Sequence, residues 1–274
     1  MKKISCFLLI LLLWLANGSA WAQTYTIGIV PQQSASQLAK LWVPILEELE
    51  KELGFKLQFS TAKDIPTFEQ RVFEGYYDFS YMNPYHYVVF SQKPGYRAFA
   101  REKDKLIQGI LVVQEDSPIK DIEDLKQQQL AFPSPAAFAA SVLPRASLTK
   151  QGIPFTPKYV KSHDSVYRSV AKGIFPAGGG IKRTFNSMPE DIRSELKVFW
   201  TTYGFTPHAF ATHPRIPEEH VQQLQQAMIG LINKPQGASL LSGLNFKKGL
   251  RPAVDSDWDD VRSLNITLLD KYLK

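Results

Sequence analysis

The stretch VFEGYYDFSYMNPYHYVV, residues 72–89, contains a helix end, a strand and a helix start in close succession. Gly75 is typical of the residue that follows a helix, and the segment YDFSYM after it is rich in residues that favour strands. Asn83 can cap a second helix, and Pro84 suits the first position of that helix because proline lacks an N–H that would stay unbonded there. The stretch therefore predicts the alternation of helix and strand that builds an α/β protein.

The segments on either side of this stretch continue the alternation. YTIGIVP and FKLQFS predict two earlier strands, separated by a helix whose apolar residues recur at helical spacing from Leu38 to Leu53. Further strands are predicted in LIQGILVVQ, QLAF, PKYV and KVFWTT, and further helices over 136–151, 164–173, 216–232 and 255–273.

This many elements fit two lobes better than one sheet. We expect an α/β fold in which each lobe has a mainly parallel sheet flanked by helices. Lobe one would contain residues 23–105 and 205–274, and lobe two residues 106–204. The chain would then cross twice between the lobes, which forms a hinge, and the ligand would bind in the cleft between them.

The first 22 residues have the features of a secretory signal peptide. Two lysines precede the apolar run FLLILLLWLA, and AWA gives a cleavage site after Ala22. The alternative is an uncleaved anchor. Cys6 is the one cysteine in the sequence and lies in this segment, so the mature chain is expected to lack disulfides and thiol nucleophiles. Removal of the signal peptide takes away its two lysines, so the net charge falls from +6 to +4. The signal peptide predicts a periplasmic protein.

The sequence lacks the motifs of common enzyme classes. Neither a G-x-S-x-G elbow nor a G-x-x-x-x-G-K-[ST] loop occurs, and Gly178-Gly179-Gly180 does not have the G-x-G-x-x-G spacing. The five histidines form neither H-x-x-x-H nor H-E-x-x-H, and basic runs with interleaved aromatic residues are absent. We therefore expect a binding protein rather than an enzyme, with no cofactor, no metal and no nucleic-acid partner.

Three turns from a strand into a helix are candidate ligand sites, because free N–H groups at a helix start attract anions. At the first turn the amides of Tyr85 and His86 would point at the cleft, with Met82 and Tyr85 as walls. The residues predicted to bind ligand at this turn are Tyr81, Met82, Asn83, Tyr85 and His86. The alternative is a helix that only packs on the sheet. The loop Gln32-Gln33-Ser34 is a weaker candidate from the same lobe.

The other two turns lie in the predicted second lobe. One offers Ser134 and the amides of Ala137, Phe138 and Ala139, where small residues would let a ligand approach the backbone. The other offers His163, which could donate to an anionic oxygen and would titrate near neutral pH, with Ser162 or Asp164 as the helix cap. The structural alternatives are a tight turn and a capping histidine.

These three turns, in this order, resemble the phosphate/phosphite/phosphonate-binding proteins of ABC importers. The resemblance covers most of the mature chain and includes the FEGYYDFS step, the NPYHY turn and the segment SHDSVYRSVAKG. It implies a type II periplasmic binding protein fold that closes on its ligand as a Venus flytrap. It also implies an ABC permease as partner and a monomeric carrier.

Two departures from the family pattern concern the ligand. The family's second turn has a run of hydroxyl residues where this sequence has Ala137, Phe138 and Ala139, so the amides are kept and the hydroxyls are not. Aminophosphonate binders have an aspartate after the His163 helix where this sequence has Pro176. Because a buried ammonium needs a carboxylate partner, an aminoalkylphosphonate is disfavoured as the ligand.

The sequence thus predicts a periplasmic protein that captures a small oxyanion and delivers it to an ABC importer. Phosphate, phosphite and a small alkylphosphonate are the candidate ligands. The alternatives are a sensing module that partners a membrane signalling receptor, and a binder of a non-phosphorus small molecule.

Overall fold

The computed structural model describes residues 23–274, so the predicted signal peptide lies outside the described residues. The strands are β1 (Thr24–Ile29), β2 (Lys56–Ser60), β3 (Phe79–Met82), β4 (Arg97–Glu102), β5 (Gly109–Gln114), β6 (Gln129–Phe132), β7 (Thr156–Tyr159), β8 (Gly178–Ile181), β9 (Leu196–Thr201), β10 (Ala209–Thr212) and β11 (Leu250–Pro252).

The helices cover the faces of the sheets. They are α1 (Ala35–Glu50), α2 (Ile65–Phe73), α3 (Pro84–Phe90), α4 (Leu143–Lys150), α5 (His163–Ala171), α6 (Lys182–Asn186), α7 (Glu190–Arg193), α8 (Glu218–Gly230), α9 (Pro235–Gly243) and α10 (Asp259–Arg262). A π-helical turn, Phe138–Val142, leads directly into α4. Short 3₁₀ turns lie at Ile122–Leu125, Leu231–Asn233, Asp255–Trp258 and Asp270–Tyr272. Along residues 23–274, none of the helices is long and apolar enough to cross a membrane.

The strands form two sheets, and each sheet is the centre of one lobe. Lobe one is built on the order β11-β4-β10-β3-β1-β2, and lobe two on the order β7-β6-β8-β5-β9. Mainly parallel sheets were predicted, but both sheets are mixed. In lobe one β1, β2 and β3 run parallel, whereas β10 is antiparallel to β3 and β4. In lobe two β5 is antiparallel to both of its neighbours. The chain enters each sheet from the other lobe through one of these antiparallel strands, β5 in lobe two and β10 in lobe one, and β11 is also antiparallel to its neighbour β4.

The two crossings between the lobes pair with each other. Ile107 and Phe205 exchange two backbone hydrogen bonds, of 2.7 and 3.0 Å, in an isolated antiparallel bridge. Two residues after Ile107, the Gly109 N–H donates to the Thr202 hydroxyl at 2.9 Å. Because the two chain segments are bonded side by side, they form one hinge.

The apolar core of lobe one continues across the cleft. It contains large fully buried rings such as Phe68, Phe79 and Phe210, and it is continuous with Ala137, Phe138 and other residues at the start of the π-helical turn in lobe two. Because apolar side chains of both lobes share one cluster, the structure shows the lobes closed on each other.

Two glycines let the π-helical turn lie directly on the sheet of lobe two. A Cβ on Gly109 would lie 2.0 Å from the Ala139 carbonyl oxygen, and one on Gly179 would lie 2.0 Å from the Ala140 carbonyl oxygen. Only glycine fits such close backbone contacts. The Gly178-Gly179-Gly180 run is thus a buried strand, β8, which the sequence reading did not predict because glycine is depleted in strands.

Several predicted helix boundaries are wrong in detail. The helix expected over 136–151 begins as a π-helical turn at Phe138. The helix expected over 255–273 is a series of short turns, interrupted at Asn265 with a φ of 48°. This segment follows lobe one's surface, where the buried Trp258 donates from Nε1 to the Pro207 carbonyl at 2.8 Å. Tertiary contacts have overridden the helical pattern there.

Candidate functional site

Two adjoining cavities lie between the lobes next to the hinge. The first, which we call the inner cavity, has a volume of about 250 Å³, counting space that opens to solvent. It is lined by Val30, Gln32, Ile65, Asn83, Ile107, Ala137, Phe138, Ala139, Ala140, His163, Ile181 and His208. Since the lining comes from both lobes and the first crossing, the cavity exists only when the lobes are closed.

The second cavity, which we call the hinge cavity, is larger, with a volume of about 550 Å³ on the same measure. It is lined by Tyr81, Glu102, Lys105, Leu106, Ile107, Gln108, Ile181, Lys182, Arg183, Pro207, His208 and Asn245. Ile107, Ile181 and His208 line both cavities, so the two spaces adjoin along these residues.

The structure brings together part of the predicted site. Of the ten residues predicted to bind ligand, Asn83, Ala137, Phe138, Ala139 and His163 line the inner cavity. Tyr81 lines the hinge cavity. The remaining four, which line neither cavity, are Met82, Tyr85, His86 and Ser134. Gln32, from the loop that was the weaker candidate, also lines the inner cavity.

The first turn supports the site through Asn83. Its Oδ1 accepts from the His86 N–H at 2.8 Å and so caps α3. The prediction that the His86 N–H is offered to a ligand is therefore wrong, because that N–H is already bonded to Asn83. The Asn83 Nδ2 donates to the Ala136 carbonyl of lobe two at 3.2 Å. The buried His86 lies 3.0 Å from Glu69 through its Nε2, and the Tyr85 hydroxyl accepts from the Leu269 N–H at 2.8 Å. The side chains of Tyr85 and His86 therefore make contacts within lobe one.

The second turn forms one wall of the inner cavity and contains the start of a helical turn. The first helical hydrogen bonds run from Ser141 and Val142 to the Ala137 carbonyl, at 2.7 and 3.2 Å. The N–H groups of Phe138, Ala139 and Ala140 precede these bonds, so a helix start leaves them free. The Ser134 hydroxyl is buried without a hydrogen-bond partner among the described residues, although it lies outside the cavity lining.

The third turn joins the lobes and holds a neutral histidine. The His163 N–H donates to the Gln32 carbonyl of lobe one at 3.0 Å, and the His163 Nδ1 lies 3.0 Å from the Thr184 hydroxyl. Ser162 caps the helix by accepting from the Ser165 N–H. Burial, followed by the charge of Arg183, lowers the pKa of His163 to about 3. The prediction that His163 titrates near neutral pH is therefore wrong, and the ring is uncharged at neutral pH.

A second neutral histidine, His208, was missed by the sequence reading. Arg183 donates to the Oε1 of Gln32 at 2.5 Å and so orients this side-chain amide. The Nε2 of Gln32 then lies 3.0 Å from the Nε2 of His208. Because the amide nitrogen is a donor, His208 Nε2 accepts. Burial and then Arg183 lower the pKa of His208 well below its usual value.

Arg183, also missed, is a cation located where the lobes meet. It lies in α6, directly after the glycine strand β8, and donates to the Tyr81 hydroxyl and the Gln32 amide of lobe one. Its guanidinium lies over the rings of Tyr81 and Phe246, at 5.4 and 5.6 Å from their centroids. The sequence feature that could have indicated Arg183 is a fourth strand-to-helix turn. This turn was not predicted because GGGI, residues 178–181, was not recognised as a strand.

The charges of the two cavities differ. The residues that line the inner cavity include neither acids nor Lys or Arg, so its polar groups are amides and neutral imidazoles. Such a lining can hold an anion by N–H donors, whereas a buried ammonium would lack a carboxylate there. Pro176, on which the sequence argument against aminophosphonates rested, lines neither cavity. Among residues 23–274, no cluster of His, Cys, Asp and Glu could hold a metal ion.

Two α/β lobes, a paired double crossing and a cleft lined by both lobes define a type II periplasmic binding protein, the predicted class. Residues 27–258 match the family model described as ABC transporter, phosphonate, periplasmic substrate-binding protein. The chain belongs to this family, as the resemblance predicted. The family is one of periplasmic transport components.

Individual relatives agree with this assignment. The chain is 21% identical to the phosphate-import protein PhnD of Mycolicibacterium smegmatis over 90% of this chain and 86% of that protein. The fold is similar to that of a binding protein of a phosphonate ABC transporter from Pseudomonas aeruginosa, with a TM-score of 0.81, 15% identity and coverage of 89% and 86% of the two chains. It is also similar to PhnD1 from Prochlorococcus marinus in complex with methylphosphonate, with a TM-score of 0.79, 20% identity and coverage of 89% and 98%.

Proposed function

We propose that this protein captures a small phosphorus oxyanion in the inner cavity and delivers it to the permease of an ABC importer. Phosphate, phosphite and a small alkylphosphonate are the candidate ligands. The protein acts as a monomeric carrier, and no bond of the ligand is made or broken. Family membership favours delivery to a permease over the sensing alternative.

One observation supports the oxyanion most strongly. The inner cavity combines the free amides of the π-helical turn with Asn83, Gln32 and two neutral histidines, and its lining contains no carboxylate. Amides at a helix start favour an anion through both hydrogen bonds and the helix dipole. A carboxylate-free lining avoids repulsion of the phosphoryl oxygens.

Closure of the lobes supplies the contacts that would couple binding to delivery. Two hydrogen bonds join the lobes at the edges of the inner cavity: the Asn83 Nδ2 donates to the Ala136 carbonyl, and the His163 N–H donates to the Gln32 carbonyl. A ligand that contacts the amides of lobe two and Asn83 of lobe one stabilises the closed state by its differential affinity for it. The permease would then recognise the closed form.

Calorimetry on protein refolded free of ligand tests this proposal. We expect at least one of phosphate, phosphite and methylphosphonate to bind, and 2-aminoethylphosphonate to bind more weakly than that ligand. The proposal is wrong if none of the three binds, or if 2-aminoethylphosphonate is the tightest ligand.

A further inference from the structure

The hinge cavity has the composition of an anion site in its own right. Three cationic side chains, Lys105, Lys182 and Arg183, line it together with one carboxylate, Glu102. The amides of Gln108 and Asn245 add neutral hydrogen-bonding groups. The charged lining is therefore positive overall, in contrast to the uncharged lining of the inner cavity.

Arg183 is the best-placed of these cations to contact a ligand. Its guanidinium is held by the Tyr81 hydroxyl, the Gln32 amide oxygen and two aromatic rings, all of them uncharged groups. Among the described residues, no carboxylate lies within ion-pair distance of Arg183, although other arginines of both lobes have such partners. Glu102 interacts electrostatically with Arg183 but lies beyond ion-pair distance, so the half-buried guanidinium can still bond directly to an anion.

The position of the hinge cavity limits what that anion can be. The cavity shares Ile107, Ile181 and His208 with the inner cavity, so the two spaces adjoin along these residues. A single small ligand can therefore place one end group in the inner cavity and the other in the hinge cavity, provided that a short chain links the two groups. The apolar Ile107 and Ile181 suit methylene groups in such a linker.

We infer that the hinge cavity binds a second anionic group at the far end of the ligand, so the preferred substrate class is a short-chain phosphonocarboxylate. This rests on the proposed function, in which the inner cavity holds the phosphonate oxygens. The carboxylate of the ligand pairs with Arg183, and Lys182 and Lys105 add to the positive field. Glu102 is the one lining group that opposes this assignment, because it would favour an ammonium at that end.

Titration calorimetry on protein refolded free of ligand compares 3-phosphonopropionate with propylphosphonate, which has a neutral chain of similar length. We expect 3-phosphonopropionate to bind at least about tenfold tighter, the smallest gain expected from one charge-assisted hydrogen bond. Equal affinities, or tighter binding of 2-aminoethylphosphonate than of either, would overturn the inference.

Variants assign the preference to the hinge cavity. In Arg183→Gln the ratio of the two affinities should fall to near one, and in Lys182→Gln it should fall by a smaller factor. The matched control is Arg193→Gln, which removes a positive charge from lobe two outside both cavities and should leave the ratio unchanged.

If Arg183→Gln fails to fold, an unchanged ratio in Lys182→Gln contradicts the inference. If neither phosphate nor any phosphonate binds the wild type, the proposed function fails; if methylphosphonate binds and the ratio is one, only this inference fails.

Discussion

The backbone N–H of His163 in lobe two donates to the carbonyl oxygen of Gln32 in lobe one at 3.0 Å, across the cleft. This bond brings the third strand-to-helix turn onto the loop after β1. It buries the His163 ring against Thr184 and places it in the inner cavity wall. The geometry of the site thus depends on closure of the lobes, and the charge state of His163 depends on it too.

The buried neutral state of His163 should make stability depend on pH. In the unfolded chain a histidine binds a proton below about pH 6.5, whereas in the folded protein the pKa of His163 is about 3. Between these values the unfolded state holds more protons, so stability rises with pH through this window and levels off above it. His163 contributes up to about 1.4 kcal/mol per pH unit there.

Urea unfolding at several pH values between 4 and 7 checks this slope, with His163→Gln as the variant. We expect the slope of unfolding free energy against pH to be smaller in the variant over this window. His220→Gln, which removes a histidine outside both cavities, is the control. Identical slopes in wild type and His163→Gln would show that the ring does not stay neutral.

Replacing Gly179 by alanine should displace the π-helical turn. The added Cβ would lie 2.0 Å from the Ala140 carbonyl oxygen, so the turn must move away from β8. We expect a loss of about 1–3 kcal/mol in stability, as for other overpacked sites, together with weaker phosphonate binding. Gly54→Ala is the control, since nothing lies within 4 Å of its Cβ. Wild-type stability and affinity in Gly179→Ala would refute the close contact.

Removing the side chain of Asn83 should affect stability and binding in separable ways. Asn83→Ala loses the cap of α3 and the bond to Ala136, and we expect a stability loss of about 1 kcal/mol from the cap. Asp64→Ala removes the corresponding cap of α2, where Asp64 accepts from the Thr67 N–H at 2.8 Å, outside both cavities. Thermal melts should show a stability loss in both variants, larger in Asn83→Ala because it also loses the bond to Ala136, and calorimetry should show a loss of affinity in Asn83→Ala alone. Equal affinities would exclude Asn83 from the ligand site.

Restoring a hydroxyl at the second turn should strengthen oxyanion binding. The family pattern has hydroxyl residues there, and Ala137 lines the inner cavity beside the free amides. In Ala137→Ser we expect phosphate affinity to rise by roughly tenfold, which corresponds to one hydrogen bond to a charged group. Ala146→Ser, at an exposed position of α4, is the control. Unchanged or lower affinity in Ala137→Ser would place the phosphoryl oxygens elsewhere.

The parts of the site that the sequence could predict are those formed by local turn chemistry. Asn83 and Ser162 cap helices in the predicted way, and residues of the turn at Ala137 line the inner cavity, because capping and helix starts depend on neighbouring residues. The number and order of the predicted elements indicated two lobes, and the family resemblance added the type II periplasmic binding protein fold with its closure on the ligand.

The missed parts depend on contacts between distant segments. Arg183, His208 and Glu102 come together at the hinge only after β8 and β10 enter their sheets, and neither strand has a strong strand pattern. The pKa of His163 could not be read from sequence either, since burial against lobe one lowers it. Long-range pairing and desolvation, rather than local propensity, determine these features.

A crystal structure of the protein with methylphosphonate, at a resolution that places the phosphorus atom, shows directly whether the amides of the π-helical turn hold the ligand. We expect phosphonate oxygens within about 3 Å of the backbone nitrogens of Phe138, Ala139 and Ala140, inside the inner cavity with the lobes closed. Methylphosphonate bound with its phosphorus outside the inner cavity, away from these amides, would contradict this expectation.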